Sequence, residues 1–149
     1  MKITSILTAA AMILSMQPVY SCDGSQEEMN KKTVLEFYDQ AINNKDFEAA
    51  SKYLGDKYIQ HNPLAQDGPE GLKNFLAFAK ENLPEYRTEF KQVFADCDHV
   101  IVHAHARSNP EDRGTAVMDI FRLENGKVVE HWDVAQPIPE KSANENGMF

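Results

Sequence analysis

The segment 118–133 constrains the fold more than any other part of the chain, because it combines a turn signal with two alternating strands. Asn125 and Gly126 form a dipeptide that two-residue β-hairpin turns favour, since both turn positions need a positive φ. Asp119 and Asp133 lie on the two strands beside apolar residues, where a carboxylate is costly unless another group pairs with it or uses it. The hairpin therefore predicts both a sheet and a candidate site.

Length and charge limit the classes of protein that this chain can belong to. Its 149 residues are typical of one domain, and its formal net charge is −8. Proteins that bind nucleic acid need clustered Lys and Arg, and docking on anionic lipid by surface charge needs the same. We therefore expect no nucleic-acid partner, and contact with a membrane only through a lipid anchor.

The first residues have the pattern of an export signal. Lys2 precedes a mostly apolar stretch, 3–16, that is too short to span a bilayer comfortably, and small residues follow it. We predict a signal peptide over 1–21, a short tether over 22–24 and a domain over 25–149. Two exported forms remain open, a periplasmic protein and a cell-envelope protein anchored through a lipid on Cys22.

Cys22 and Cys97 are the two cysteines of the chain, too few for a disulfide framework. A lipid on Cys22 would leave Cys97 unpaired, as a small buried apolar residue. A bridge between them is the less favoured alternative, because it would join a flexible end to the end of a strand.

Three helices are predicted before the sheet. The first covers about 26–43, with Ser25 as its N-cap and Glu28 completing a capping box. Asp46 is the predicted cap of a short second helix. The third runs from Gly68 to the Leu83-Pro84 stop, with a proline where its missing N–H does no harm.

From Tyr86 onward the hydrophobic period changes to two, which predicts four long strands. A short extended segment, 57–60, precedes them. Helices followed by strands give an α+β order. The predicted fold is three N-terminal helices packed on a curved antiparallel sheet that encloses a cone-shaped pocket.

The strand faces carry a set of acids and imidazoles that could perform general acid/base chemistry. Adjacent antiparallel strands bring residues of one face within side-chain reach, so we expect these groups to converge. The alternative is that they form only the solvent face of the sheet. The set consists of His103, His105, Asp119, His131 and Asp133, with Phe121 on the same strand face as Asp119.

A metal centre is a second interpretation of the same histidines. His103 and His105 place two imidazoles on one side of a strand, and His131 or His61 could supply a third ligand. An HxH pair is a weak signal, so we predict no metal. Asn62 precedes a proline, and it is either a turn residue or a pocket residue.

Several segments together resemble the SnoaL-like polyketide cyclase group of the nuclear transport factor 2-like superfamily. The resemblance covers about 30–149, and the final hairpin and the Gln-His-Asn-Pro segment are its specific parts. The segments are 58–63 (YIQHNP), 103–105 (HAH), 119–122 (DIFR), 126–133 (GKVVEHWD) and 146–149 (NGMF).

The resemblance implies a cone-shaped α+β fold that dimerises through the outer surface of its sheet. It also implies that an aspartate in the last strand acts as general acid/base without metal or cofactor, and Asp133 matches that position. Asn62 matches a pocket asparagine. Asp119 stands where the cyclases carry a histidine, and a pocket with two carboxylates is similar to that of ketosteroid isomerase.

We therefore predict an exported pocket protein that acts on a small apolar molecule without a cofactor, by proton transfer next to a carbonyl, as a cyclase or isomerase. The alternative is a non-catalytic ligand-binding domain of the cell envelope. A homodimer is expected. The predicted catalytic residues are Asp133, Asp119 and His105, and the predicted binding residues are His61, Asn62, His103, His131 and Phe121.

Overall fold

A five-stranded sheet with three helices on its inner face makes up the part of the chain that the structure, a computed structural model, describes, residues 22–149. The predicted signal peptide, 1–21, lies outside the described residues. Helices α1, α2 and α3 cover Gly24–Tyr38, Phe47–Ala50 and Gly68–Asn82, and a π-helical turn, Asp39–Asn43, extends α1. The strands are β1 Leu54–Gln60, β2 Arg87–Asp96, β3 His99–Arg107, β4 Thr115–Glu124 and β5 Lys127–Pro137. The predicted α+β class is confirmed.

The sheet order is β1-β5-β4-β3-β2, and β1 pairs with β5 in parallel while the other pairs are antiparallel. The sequence predicted four long strands and treated 57–60 as a separate extended segment. That segment is part of the edge strand β1, and its Gln60 pairs with His131. Pairing with β1 satisfies backbone groups of β5 that would otherwise form a free edge, and the His61 N–H also donates to the His131 carbonyl at 2.9 Å.

The predicted hairpin joins β4 to β5. Glu124 pairs with Lys127 across a two-residue turn, where Asn125 has φ 52° and Gly126 φ 71°. These positive angles are those that a primed turn requires. Further along the ladder Asp119 faces Asp133 directly, so the two predicted carboxylates share one face of the sheet.

The hydrophobic core lies between the inner face of the sheet and α1. Alternate residues of β3 point into the core, and these buried residues are small and apolar. Aromatic residues of α1 and β4 meet edge to face there, with ring centroids 6.0 Å apart for Phe37 and Phe121. The core includes Val34, Phe37, Tyr38, Val100, Val102, Ala104, Phe121 and Leu123.

The N-terminus of α1 differs from the prediction. Asp23 is the N-cap, because its carboxylate accepts hydrogen bonds from the Ser25 backbone N–H at 3.1 Å and the Ser25 hydroxyl at 2.7 Å. Ser25 is thus a donor within the first turn and not the cap. Glu28 pairs with Lys31 at 2.6 Å and does not complete a capping box. The predicted cap of α2 is confirmed, since Asp46 accepts from the Ala49 N–H at 2.9 Å.

A disulfide joins Cys22 to Cys97, so the expectation that Cys97 is unpaired is wrong. The predicted flexible tether over 22–24 is wrong as well, because α1 begins at Gly24. Two contacts hold α1 against the β2–β3 turn and bring the sulfurs together. The Glu27 carboxylate accepts from the Cys97 N–H at 3.1 Å, and the Asn30 amide donates to the Cys97 carbonyl at 2.9 Å.

Within residues 22–149 the helices are all too short or too polar to cross a membrane.

Candidate functional site

A cavity of about 680 Å³ opens between the inner face of the sheet and helices α1 and α3. This volume is within the range of small-molecule sites. Its wall combines aromatic and aliphatic side chains with a few polar groups. The polar members are Gln60, Asn62, Gln66, Asn74, Ser108, Asp112, Thr115, Asp119, His131 and Asp133.

Asp119 is the most deeply buried acid of the cavity, with 3% of its surface exposed. Its carboxyl accepts a hydrogen bond from the Tyr38 hydroxyl at 3.1 Å and lies 3.1 Å from the His131 Nε2. Burial raises the pKa of Asp119, although the hydrogen bonds to His131 and Tyr38 act in the opposite direction. This carboxyl can therefore hold a proton at a pH where an exposed aspartate has lost it.

The tautomer of His131 follows from its neighbours. The Gln60 side-chain oxygen accepts from the Asn62 backbone N–H at 2.9 Å, which identifies that atom as the carbonyl oxygen. The same oxygen lies 2.9 Å from the His131 Nδ1, so that nitrogen carries a proton and donates. The Nε2 then faces Asp119 across a shared proton, held either by the carboxyl or by the ring.

Asp133 faces Asp119 and stands between it and Asn62. The Asn62 amide nitrogen lies 2.9 and 2.8 Å from the two carboxylate oxygens, so it donates to Asp133. The Asn62 oxygen in turn accepts from the Leu64 N–H at 2.8 Å, which orients the amide. Asp133 is half-buried and lines the cavity, where a ligand can reach it.

The parallel pairing of β1 explains how the polar groups meet. Tyr58, Gln60 and Asn62 alternate along the chain and all line the cavity. Because Gln60 pairs with His131, its side chain reaches the ring, and Asn62, two residues further on, reaches Asp133.

Asp119, His131 and Asp133 each offer one ligand atom, and these atoms lie within 4.8 Å of one another. Two carboxyls of different environment at this spacing can work as an acid and a base. The same three atoms could also hold a divalent cation, with Tyr38, Gln60 and Asn62 as supporting hydrogen-bond partners. Elemental analysis of purified protein distinguishes the two cases, because a stoichiometric divalent metal would indicate the cation site.

The expectation that His103 and His105 converge with the two aspartates is wrong. In the ladder Asp119 pairs with Val102, whereas His103 pairs with Met118, so both histidines lie on the outer face of the sheet. The inner face of β3 is taken by the alternate apolar residues, because burying them against α1 gains free energy while burying imidazoles costs it. The metal ligand set built on these two histidines is therefore wrong as well.

The two outer histidines contact the C-terminal residue instead. The Phe149 ring lies 5.3 Å from the His103 ring and 4.7 Å from the His105 ring. The His105 Nε2 also lies 2.7 Å from the Arg113 carbonyl oxygen.

His61, a predicted binding residue, is exposed and also lies outside the cavity. It stacks on Trp132 with ring centroids 4.6 Å apart, and its Nε2–H donates to the Glu130 carboxylate at 2.9 Å. That hydrogen bond, with a further one from Arg122, lowers the pKa of Glu130. His61 faces outward because it lies between Gln60 and Asn62 in an alternating segment.

Asn62, Asp119, Phe121, His131 and Asp133 are the predicted site residues that the structure brings together in the cavity. Sequence reasoning missed Tyr38 and Gln60. Tyr38 belongs to an apolar helical stripe and was assigned only to the core. Gln60 shares the alternation of Tyr58 and Asn62, and that signal could have identified it.

Replacing Asp119 with Asn is expected to change how stability depends on pH. The raised pKa means that the folded state binds a proton more tightly than the unfolded chain, whose value is about 4. The free energy of unfolding of the wild type should therefore fall as the pH rises from about 4 through the raised pKa. The variant should lack this part of the fall, because Asn has no proton to lose.

Urea unfolding at a series of pH values measures the effect, and Asp56→Asn, at an exposed position of β1, is the matched control. Tyr38, His131 and Asp133 also face Asp119. The contribution of Asp119 itself is therefore the difference in pH dependence between the wild type and Asp119→Asn. Equal pH dependence in the two proteins would contradict a raised pKa.

The chain belongs to the SnoaL-like domain family, whose sequence profile matches residues 34–131. That segment contains α1 from Val34 onward and every strand up to His131, so it covers most of the fold described above. Among curated proteins, none matches the chain.

Solved structures of low sequence identity share the nuclear transport factor 2-like fold. An NTF-2 like protein of unknown function from Burkholderia xenovorans LB400 superposes with a TM-score of 0.65 at 17% identity, over 80% of this chain and 92% of that one. A putative polyketide cyclase from Bacillus cereus ATCC 10987 superposes with a TM-score of 0.64 at 19% identity, over 77% of this chain and 82% of that one. A putative hydroxylase from Streptomyces galilaeus superposes with a TM-score of 0.61 at 20% identity, over 74% of this chain and 81% of that one. At such identities the likeness establishes the fold alone.

Proposed function

We propose that this protein binds a small, largely apolar carbonyl compound in its cavity and catalyses proton transfer at the carbon next to the carbonyl. Asp133 is the general acid/base that touches the substrate. The observation that carries the proposal is the pair of facing carboxyls in one cavity, one buried and one open to a ligand. The reaction class includes the aldol cyclisation and the isomerisation that the family resemblance suggests.

The roles of the two carboxyls differ because their surroundings differ. Asp133 accepts hydrogen bonds from the Asn62 amide, which orient its carboxylate to take a proton from a bound carbon acid. Asp119 shares a proton with His131, and when the carboxyl holds that proton it can turn its O–H from the His131 Nε2 to the enolate oxygen that forms. His131 takes the assisting role that the sequence assigned to His105.

The apolar wall supports a substrate with a hydrophobic body. Phe37, Ile42, Leu72, Phe75 and Phe121 line the cavity together with the polar groups. Such a wall excludes water from the carboxyls and strengthens their electrostatic effect on the substrate.

Deuterium exchange tests the proposal without knowledge of the natural substrate. The protein is mixed in D₂O with enolisable bicyclic ketones such as 1-tetralone and 2-tetralone, and loss of the α-proton signals is followed by NMR. We expect exchange of a ketone that binds to exceed the rate in protein-free buffer of the same pD. A ketone that binds without any added exchange would favour the alternative, a ligand-binding domain without catalysis.

We also propose that the mature protein is exported. The pattern over 1–21 is that of a signal peptide, and the Cys22–Cys97 disulfide is of a kind that forms and persists in oxidising compartments outside the cytosol. The bridge occupies the sulfur that a lipid anchor on Cys22 would need. This favours a secreted or periplasmic form over the lipid-anchored one.

We further propose a homodimer through the outer face of the sheet. By register, Phe94, Ile101, Ile120 and Trp132 form one apolar row across four strands. Phe94 is 53% exposed, and Val134, nearby on the same face, is 70% exposed. Exposed apolar side chains in a contiguous row are typical of interfaces, and sedimentation velocity should give twice the monomer mass.

A further inference from the structure

The charged groups that line the cavity are nearly all of one sign. Asp112, Asp119 and Asp133 contribute carboxyls, and His131 contributes the imidazole that shares a proton with Asp119. Within the described part of the chain, no lysine or arginine side chain lines this cavity. A ligand that carries a carboxylate or phosphate would therefore meet net repulsion, because Asp112 and Asp133 are not matched by Lys or Arg in the wall.

Asp133 lacks the basic partners that a nearby acid of the same strand possesses. Glu130, three positions before Asp133 on β5, pairs with Arg122 at 2.7 Å and with His61 at 2.9 Å. Asp133 takes part in no ion pair within residues 22–149, and its hydrogen-bond partner there is the neutral Asn62. Its charge therefore adds to the negative potential of the cavity without compensation.

Asp112 places a second fixed negative charge in the wall of the cavity, beside the exposed Ser108. Its carboxylate accepts hydrogen bonds from the Ser108 and Gly114 backbone N–H groups, each at 2.9 Å. These bonds lower the pKa of Asp112. The loop that holds Asp112 leads into Thr115, and four strand positions of β4, roughly 13 Å, separate Thr115 from Asp119. The cavity thus has an acid towards each of its two ends.

Aromatic rings form part of the wall of the same cavity. Phe37, Tyr38, Phe75, Phe78 and Tyr86 all belong to the wall. The face of an aromatic ring attracts a cation, and the attraction grows where water is excluded. The wall therefore suits an apolar skeleton that carries a positive charge better than one that carries a negative charge.

We propose that the ligand of this cavity is an organic cation, an apolar ring skeleton with an ammonium group directed towards Asp112. Asp112 is then the residue that selects the charge of the ligand, while Asp133 remains free for chemistry at the other end. The inference rests on the proposed function to the extent that the cavity must bind a small molecule. It adds the charge class of that molecule and the residue that recognises it.

Three fluorescent probes with one skeleton test the charge class. They are 9-anthracenylmethylammonium, 9-anthracenemethanol and 9-anthracenecarboxylate, and fluorescence titration gives their dissociation constants. We expect the ammonium to bind about tenfold or more tighter than the carboxylate, with the alcohol between them. Asp112→Asn should weaken binding of the ammonium and leave binding of the alcohol unchanged.

A second variant is needed because Asp112→Asn could disrupt the 108–114 loop, whose backbone N–H groups bond the Asp112 carboxylate. Ser108→Lys adds a positive charge to the cavity wall beside Asp112 and keeps Asp112 in place, because Asp112 bonds the backbone N–H of residue 108. It should weaken binding of the ammonium and strengthen binding of the carboxylate. Equal affinities for the three probes, or a preference for the carboxylate, would overturn the inference.

Failure of the proposed function has a different signature. Phe75→Ala removes part of the wall that all three probes would contact, so it should weaken each of them. If no probe binds, or if binding ignores Phe75→Ala, the cavity is not a small-molecule site and both proposals fail. If Phe75→Ala weakens all probes but their charges do not matter, only the charge inference fails.

Discussion

Asp133→Asn is expected to abolish the deuterium exchange that the wild type catalyses, with a loss of about 10²–10⁴ in rate. Asn has nearly the same shape as Asp but cannot take or return a proton at neutral pH. Its side-chain oxygen can still accept from the Asn62 amide, so the fold and the cavity should persist. NMR exchange rates with 2-tetralone measure the effect, and circular dichroism checks the fold.

His105→Gln is the matched control for this variant. His105 lies on the outer face of the sheet, next to Phe149, so its replacement should leave the exchange rate as it is in the wild type. Unchanged exchange in Asp133→Asn would contradict the role of Asp133. A loss in His105→Gln equal to that in Asp133→Asn would contradict the placement of the reacting groups in the cavity.

Removing the disulfide is expected to lower the free energy of unfolding by about 2–4 kcal/mol. The bridge joins residues separated by 75 positions, so the unfolded chain gains much conformational freedom when it is absent. A double variant, Cys22→Ser with Cys97→Ser, removes it without leaving a free thiol. Urea unfolding of the variant and of the oxidised wild type measures the difference.

Reduction provides the control for the disulfide prediction. Dithiothreitol should destabilise the wild type by a similar amount and leave the double variant unchanged. Equal stability of the oxidised wild type and the variant would contradict a structural role for the bridge. The intact mass of protein isolated from its source tests the state of Cys22, and a mass increase by a lipid at this residue would contradict the proposed secreted form.

Prediction from the sequence succeeded where local signals act alone. The Asn125-Gly126 turn identified the β4–β5 hairpin, in which Glu124 pairs with Lys127. A register shift between Arg122 and Leu123, which the turn does not specify, then places Asp119 opposite Asp133. Asp46 was recognised as a helix cap from its position before an apolar run. The turn and the cap each depend on a few neighbouring residues alone.

Prediction failed where the result depended on partners far away in the chain. Asp23 and Ser25 are both good caps, and α1 begins at Gly24, earlier than predicted, where Glu27 and Asn30 contact the β2–β3 turn. The disulfide depends on the same approach, which brings residues 75 positions apart to a Cα separation of 5.1 Å.

The sequence by itself determined the elements and the two acids of the site, because periodicity, caps and turns are properties of short segments. Only the tertiary structure decided which face of each strand points inward. Alternation divides β3 into two sets of side chains but does not say which one meets α1, and packing chose the apolar set over His103 and His105. The pairing of β1 with β5 likewise brought Gln60 and Asn62 to His131 and Asp133, since contacts between distant strands exist only once the sheet is assembled.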